Sequence, residues 1–120
     1  MNRQDVLQWI GIFESAWKEK EFSKLETLFS DVEEYWETPF GDYVSGWDNI
    51  KPLWDEITFQ SEIDLQVDIL SIEDNKVTLH WYLKYKDLRD STIYEMDGTY
   101  FLVFNNKMCK IFKQWWVMSE

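Results

Sequence analysis

From Ile93 to Phe104 the chain reads Ile-Tyr-Glu-Met-Asp-Gly-Thr-Tyr-Phe-Leu-Val-Phe, and neither face of that stretch is wholly polar. Two-residue periodicity sorts Tyr94, Met96, Gly98, Tyr100, Leu102 and Phe104 onto one side of a strand and Ile93, Glu95, Asp97, Thr99, Phe101 and Val103 onto the other. A turn at Asn105-Asn106 leads to a return strand. Its one face carries Phe112, Gln114, Trp116 and Met118, and its other carries Ile111, Lys113, Trp115 and Val117. A hairpin apolar on both sides meets the chain's own helices on one face and a second subunit or neighbouring element on the other. Gly98 in mid-strand predicts a bend or bulge. A bent sheet wrapped on helices makes a concavity, and function is expected there.

The rest of the chain supplies those helices. Val6, Trp9, Ile10, Phe13 and Trp17 recur at three- and four-residue spacing, which predicts a helix over 5–19, with Asn2 and Asp5 as its start signal. A second short helix is expected over 22–29 and a short strand over 31–38, ended by Pro39-Phe40-Gly41. Ser45 and Asp48 form a Ser-x-x-Asp capping box for a third helix whose apolar side is Trp47, Ile50, Leu53, Trp54 and Ile57, with Pro52 kinking or confining it. Ile63, Leu65, Val67 and Ile69 alternate with Asp64, Gln66 and Asp68. Leu70 and Ile72 break that phase, predicting a bulge, and a turn follows at Asp74-Asn75. The next strand sets Val77, Leu79, Trp81, Leu83 and Tyr85 against Thr78, His80, Tyr82 and Lys84, before a turn over 87–91. Helices segregated onto an antiparallel sheet make an α+β fold, and the length of 120 residues makes one domain, 1–120.

Eight Trp, eight Phe and six Tyr give enough apolar surface to hold a core without a metal or disulfide. Cys109 is the only cysteine, so no intrachain disulfide forms. The polar N-terminus and the lack of a membrane-length apolar run predict a cytoplasmic chain. A net charge of −11 argues against nucleic acid and anionic membranes as partners and is otherwise a solvated surface. No glycine-rich phosphate loop, nucleophile elbow or metal-ligand spacing is present, so no cofactor and no metal are expected.

In order and spacing the chain resembles the nuclear-transport-factor-like superfamily, which includes the SnoaL-like polyketide cyclases and the ketosteroid isomerases. The matching pieces are Leu28-Phe29-Ser30-Asp31, Trp36-Glu37-Thr38-Pro39-Phe40-Gly41, Ser45-Gly46 with Ile50 beyond, and Lys110-Ile111-Phe112, with Cys109 where glycine is usual. The resemblance implies a cystatin-like cone, a curved sheet around a long helix with an apolar pocket at its open end. It also implies a homodimer through the outer sheet face, which would occupy Phe101, Val103, Trp115 and Val117. A ketosteroid isomerase needs a carboxylate base after the first strand, a tyrosine from the first helix and a protonated acid on the hairpin. Here the tyrosine position falls near Phe13 and the acid at or near Tyr100. The base falls on Thr38 counting back from Pro39, or on Glu37 counting forward from Leu28-Phe29. At least two of three groups are lost, so the chain is not a standard ketosteroid isomerase.

Glu37 is the candidate general base, since a carboxylate at the mouth of an apolar pocket has its pKa raised by desolvation; strand parity equally allows it to face solvent. Tyr100 and Gln114 are candidate partners for a ligand oxygen, or else satisfy each other or the backbone. Phe13, Trp17, Trp54, Trp81, Tyr100 and Trp116 are core by default and a ligand wall by the second reading. Glu95 and Asp97 are expected to pair with Lys113 or another subunit, and the lone His80 to sit at the surface or an interface. Two function classes follow. One is a pocket for a small hydrophobic organic molecule with cofactor-free acid/base chemistry. The other is a non-catalytic module whose hairpin face binds itself or a protein.

Overall fold

The computed structural model describes residues 1–119. Helix α1 (Arg3–Lys18) begins two residues before the expected 5–19, directly on the start signal expected at Asn2 and Asp5. Asn2 accepts a hydrogen bond from the Asp5 amide at 2.8 Å while the Asp5 carboxylate reaches back to the Asn2 amide, closing a capping box. Its buried stripe is Val6, Trp9, Ile10, Phe13, Ala16 and Trp17. Helix α2 (Phe22–Phe29) buries Leu25, Leu28 and Phe29.

The strand expected over 31–38 shrinks to β1 (Glu34–Tyr35). It runs parallel to the last strand, with Tyr35 opposite Phe112, so the sheet is mixed rather than wholly antiparallel. Beyond it the Thr38 hydroxyl turns back onto Phe40, which ends the extended run.

Helix α3 (Trp47–Trp54) corrects the Ser45 cap. Gly46 is the N-cap, at φ +81°, and no side chain caps the helix. The chain enters through a left-handed φ that glycine adopts freely, so the serine is one residue too early. The Ser45 carbonyl instead accepts from the Asn49 side-chain Nδ2 at 2.9 Å. Pro52 lies inside α3, which stops two residues later and tightens into a 3-10 segment, Asp55–Phe59.

Four strands complete the sheet: β2 (Gln60–Glu73), β3 (Lys76–Asp87), β4 (Ile93–Asn105) and β5 (Met108–Met118), in the order β1-β5-β4-β3-β2. The predicted break after Ile69 is present as a register shift between Ile69 and Ser71, and a second lies between Ser61 and Asp64, where Glu62 takes φ +51°. The last hairpin turns at Asn106-Lys107, both left-handed, one residue later than expected. Gly98 sits in no bulge: it pairs in register with Trp81 on one side and Trp116 on the other. Its lack of a Cβ serves close approach instead. A Cβ there would collide with the Trp115 carbonyl and lie 2.8 Å from the Trp81 indole.

The inner faces of β3, β4 and β5 close over α1 as one apolar cluster. Phe13 is at its centre, fully buried, with Trp9, Trp17, Phe29, Trp54 and Tyr100 packed around its ring at centroid distances of 5.1–6.2 Å. The outer face differs from expectation. Asp97 pairs with His80 Nε2 at 2.9 Å and Glu95 accepts from the Tyr82 hydroxyl, while Lys113 sits over the Trp36 ring. Register explains this: His80 and Tyr82 lie across from Thr99 and Asp97 on the neighbouring strand, within direct reach of both acids. No helix among the described residues is long and apolar enough to cross a membrane.

Candidate functional site

At the C-terminal end of α1 the cone stays open over a cavity of about 200 Å³. Each wall follows from an element already described. Helix α1 contributes Trp17, β1 contributes Tyr35 and then Glu37, and α3 with its 3-10 extension contributes Leu53, Trp54, Glu56 and Ile57. The inner faces of the strands supply Gln60, Trp81, Leu83, Tyr85, Met96, Tyr100, Gln114, Trp116 and Met118. Gly98 leaves room for the Trp81 indole within this wall.

Of the residues singled out from sequence, Trp17, Glu37, Trp54, Trp81, Tyr100, Gln114 and Trp116 come together around this one cavity. Phe13 does not line it. It lies beneath, with no exposed surface, and holds Tyr100, Trp17 and Trp54 edge-on at 5.6–5.7 Å. The middle of the helix faces the core centre, whereas Trp17, one turn on, reaches the open end. Thr38 is spent on the Phe40 turn, so of the two candidate base positions it is Glu37 that borders the cavity.

Polar groups are few and placed by hydrogen bonds. Gln60, 6% exposed, accepts the Trp17 indole N–H at 2.7 Å. Gln114 donates to the Trp36 carbonyl at 3.1 Å, and the Trp116 indole donates to the Glu37 carbonyl at 3.2 Å, so β5 pins the segment carrying the carboxylate. Glu37 is exposed on its outer side at the rim, and partial desolvation by the apolar wall raises its carboxyl above the ordinary value, with no cation or donor among the described residues to offset it. Burial also raises the Tyr35 hydroxyl, and the nearby Glu37 charge adds to it, while Gln114 and the Trp54 indole face that hydroxyl. Tyr100 is held well above its ordinary value by burial first and by Tyr35 second. Both tyrosines therefore stay protonated as donors, while the Glu37 carboxyl holds its proton more tightly than an ordinary carboxylate. The buried indole N–H groups of Trp54 and Trp81 have no hydrogen-bond partner.

Tyr35, Gln60 and Met96 were not singled out from sequence. Tyr35 carried a signal, since it lies two residues before Glu37 and shares its strand parity. Met96 lies on the same face of β4 as Tyr100. Gln60 had none, because its place depends on where the 3-10 segment hands over to β2. Among the described residues no group of three or more acidic, histidine or cysteine side chains could hold a metal.

No family model matches the chain, and no curated protein does. Solved structures match it over nearly the whole length. An NTF2-like protein of unknown function from Exiguobacterium sp. 255-15 is 20% identical, with a TM-score of 0.70 over 97% of this chain and 98% of that one. SalBIII, an epoxide hydrolase/cyclase-like enzyme of pyran ring formation in the polyether salinomycin, is 11% identical, with a TM-score of 0.74 over 95% and 94%. An LEH-like epoxide hydrolase of M. tuberculosis is 10% identical, with a TM-score of 0.69 over 95% and 84%. At such identities the likeness speaks for architecture alone: the chain has the nuclear-transport-factor-like, SnoaL-like cone fold.

Proposed function

We propose that the cavity binds a small, mainly apolar organic molecule and that Glu37 acts on it as a general base, without a cofactor. The observation that carries this reading is the grouping of one unpaired, partly desolvated carboxylate with two buried tyrosine hydroxyls in a single aromatic cavity. Glu37 at the rim takes a proton from the ligand or from a water beside it. Tyr100, with Tyr35 next to it, donates to the oxygen on which negative charge develops. Gln114 spends one of its two N–H groups on the Trp36 carbonyl and faces the Tyr35 hydroxyl, so it supports the tyrosine pair rather than acting as the main donor. The cyclase-like and hydrolase names among proteins of this fold agree with acid/base work on small molecules.

The test is a titration of tryptophan emission with small neutral ketones, epoxides and lactones. Saturable change in the wild type, lost in a Met96→Trp variant that fills the cavity, is the expected result. Indifference to every compound overturns the reading.

A second reading rests on a separate observation. On the outer face of β5, Trp115 is 45% and Val117 is 70% exposed, beside the half-buried Phe101 and Val103. We infer that a second copy of the chain covers this face. Sedimentation should then give a dimer that Trp115→Ala shifts towards monomer; a wild-type monomer at high concentration removes the inference. A cytoplasmic location, with no nucleic acid or membrane partner, fits the charge of −11 and belongs to the same proposal.

A further inference from the structure

The cavity wall is selective in charge as well as in shape. Seven of its sixteen lining residues are aromatic, four of them tryptophan, and two more are the polarisable Met96 and Met118. Two carboxylates reach it and no Lys, Arg or His does. Of the carboxylates, Glu56 is bound by Arg89 at 2.7 Å, a guanidinium that it shares with Asp87, so its charge is already partly offset. Glu37 has no such partner, and burial alone shapes its titration. The Trp17 and Trp54 planes stand 89° apart with centroids at 4.9 Å and pack edge to face behind the wall, while Trp116 is the tryptophan most exposed at the rim.

This inference rests on the pocket reading above and narrows its ligand. We infer that the molecule the cavity takes carries a tertiary or quaternary ammonium group, held against the tryptophan and tyrosine faces with Glu37 as its counter-ion. The physical reasons are independent of one another. Ring quadrupoles attract a cation, tryptophan most strongly, and do so more when water is excluded. An unpaired carboxylate at an apolar mouth gains most from a cation too weakly hydrated to resist leaving water, and an alkylated ammonium is such a cation. An anionic ligand meets the Glu37 charge with no basic group in the wall to offset it, so a cation is favoured over an anion. Tyr35 and Tyr100 remain available to an oxygen elsewhere on the same molecule.

The probe pair is choline and 3,3-dimethylbutan-1-ol, which share shape and hydroxyl and differ in the charge of one atom. Calorimetric titration of the full chain should show choline binding at least about tenfold tighter than the neutral alcohol. Glu37→Gln should erase most of that gap while leaving the neutral alcohol within about twofold of its wild-type affinity. Trp116→Leu, at the exposed rim, should weaken choline more than the alcohol. Equal binding of the pair, or tighter binding of the alcohol, overturns the ammonium inference and leaves the pocket reading standing. Binding of neither at millimolar concentration also overturns it, and the pocket reading is then decided by the ketone, epoxide and lactone titrations.

Discussion

Trp116 on β5 donates its indole N–H to the main-chain carbonyl of Glu37 at 3.2 Å, so the residue that walls the cavity also sets the position of its carboxylate. Trp116→Phe keeps an aromatic wall and removes only that donor. We expect a stability loss of about 1 kcal/mol, the usual net value of one hydrogen bond. The larger effect falls on Glu37, whose titration should move back towards the ordinary carboxylate range as its segment loosens. Carboxyl-carbon NMR against pH checks this, and an unmoved midpoint means the indole does not hold the acid in place.

Glu37 itself predicts a pH profile. Its carboxyl is raised by burial, so the folded state holds that proton more tightly than the unfolded chain. The contribution to stability is therefore full below the ordinary carboxylate value and lost as pH rises through the raised one. A general base needs the opposite form, so turnover should rise with pH through that same raised value. Glu37→Gln should lower turnover of any substrate found by at least about 100-fold, leave binding of neutral compounds largely intact and remove the acidic limb of the profile. Wild-type turnover in this variant would end the general-base assignment.

Gly98 predicts the most damaging small substitution. A methyl group there has to displace a backbone carbonyl of β5 and the Trp81 indole together, and neither belongs to a flexible side-chain end. Gly98→Ala should cost about 3 kcal/mol, at the upper end for overpacking, and should perturb the cavity through Trp81. Urea denaturation measures it. A loss below about 0.5 kcal/mol would mean that the sheet relaxes freely at this point.

His80 reports on the outer face. Its ring is bracketed by Asp97 at 2.9 Å and Asp68 at 3.7 Å, and the hydrogen bond to Asp97 is the main cause that raises its pKa above the ordinary histidine value. In the folded protein the imidazolium is favoured, so its contribution is present below the ordinary value and fades as pH rises through the raised one. The ring proton resonances should titrate above the ordinary value, and Asp97→Asn should bring the midpoint down. The pair is exposed, so the stability change should be small. An unshifted wild-type titration contradicts the pairing.

Periodicity made the cone legible because most of its elements bury one face and their residues alternate accordingly. Val77, Leu79, Trp81 and Leu83 alternate in sequence and are all buried in the structure, and the α1 stripe from Val6 to Trp17 is buried to the last residue. The edges were less legible. β1 pairs through only two residues, and an element that short has no period, so its parallel pairing had no signature of its own. Gly98 was read as a bend or bulge and sits in no bulge, since sequence marks a missing Cβ without saying what occupies its place. The gathering of Trp17, Trp54 and Trp116 at one mouth depends on where three elements stop. Endings set by Gly46 at positive φ and by a 3-10 segment are local compromises that hydrophobic pattern does not encode.

The sheet has two unlike borders. β1 is covered on its far side, where Tyr35 exchanges both main-chain hydrogen bonds with Val44 at 2.9 and 3.0 Å. β2 is the opposite border and runs for fourteen residues with no strand beyond it among the described residues. A border of that length is a ready template for a strand from another molecule. Its two register breaks, at Ser61/Asp64 and at Ile69/Ser71, confine the even spacing of main-chain donors to a short central run. That run presents Asp64 and Asp68 outward. An incoming copy would meet interrupted pairing at both ends and like charge in the middle, so the same irregularities that let β2 curve around the cone also work against strand addition along its open border.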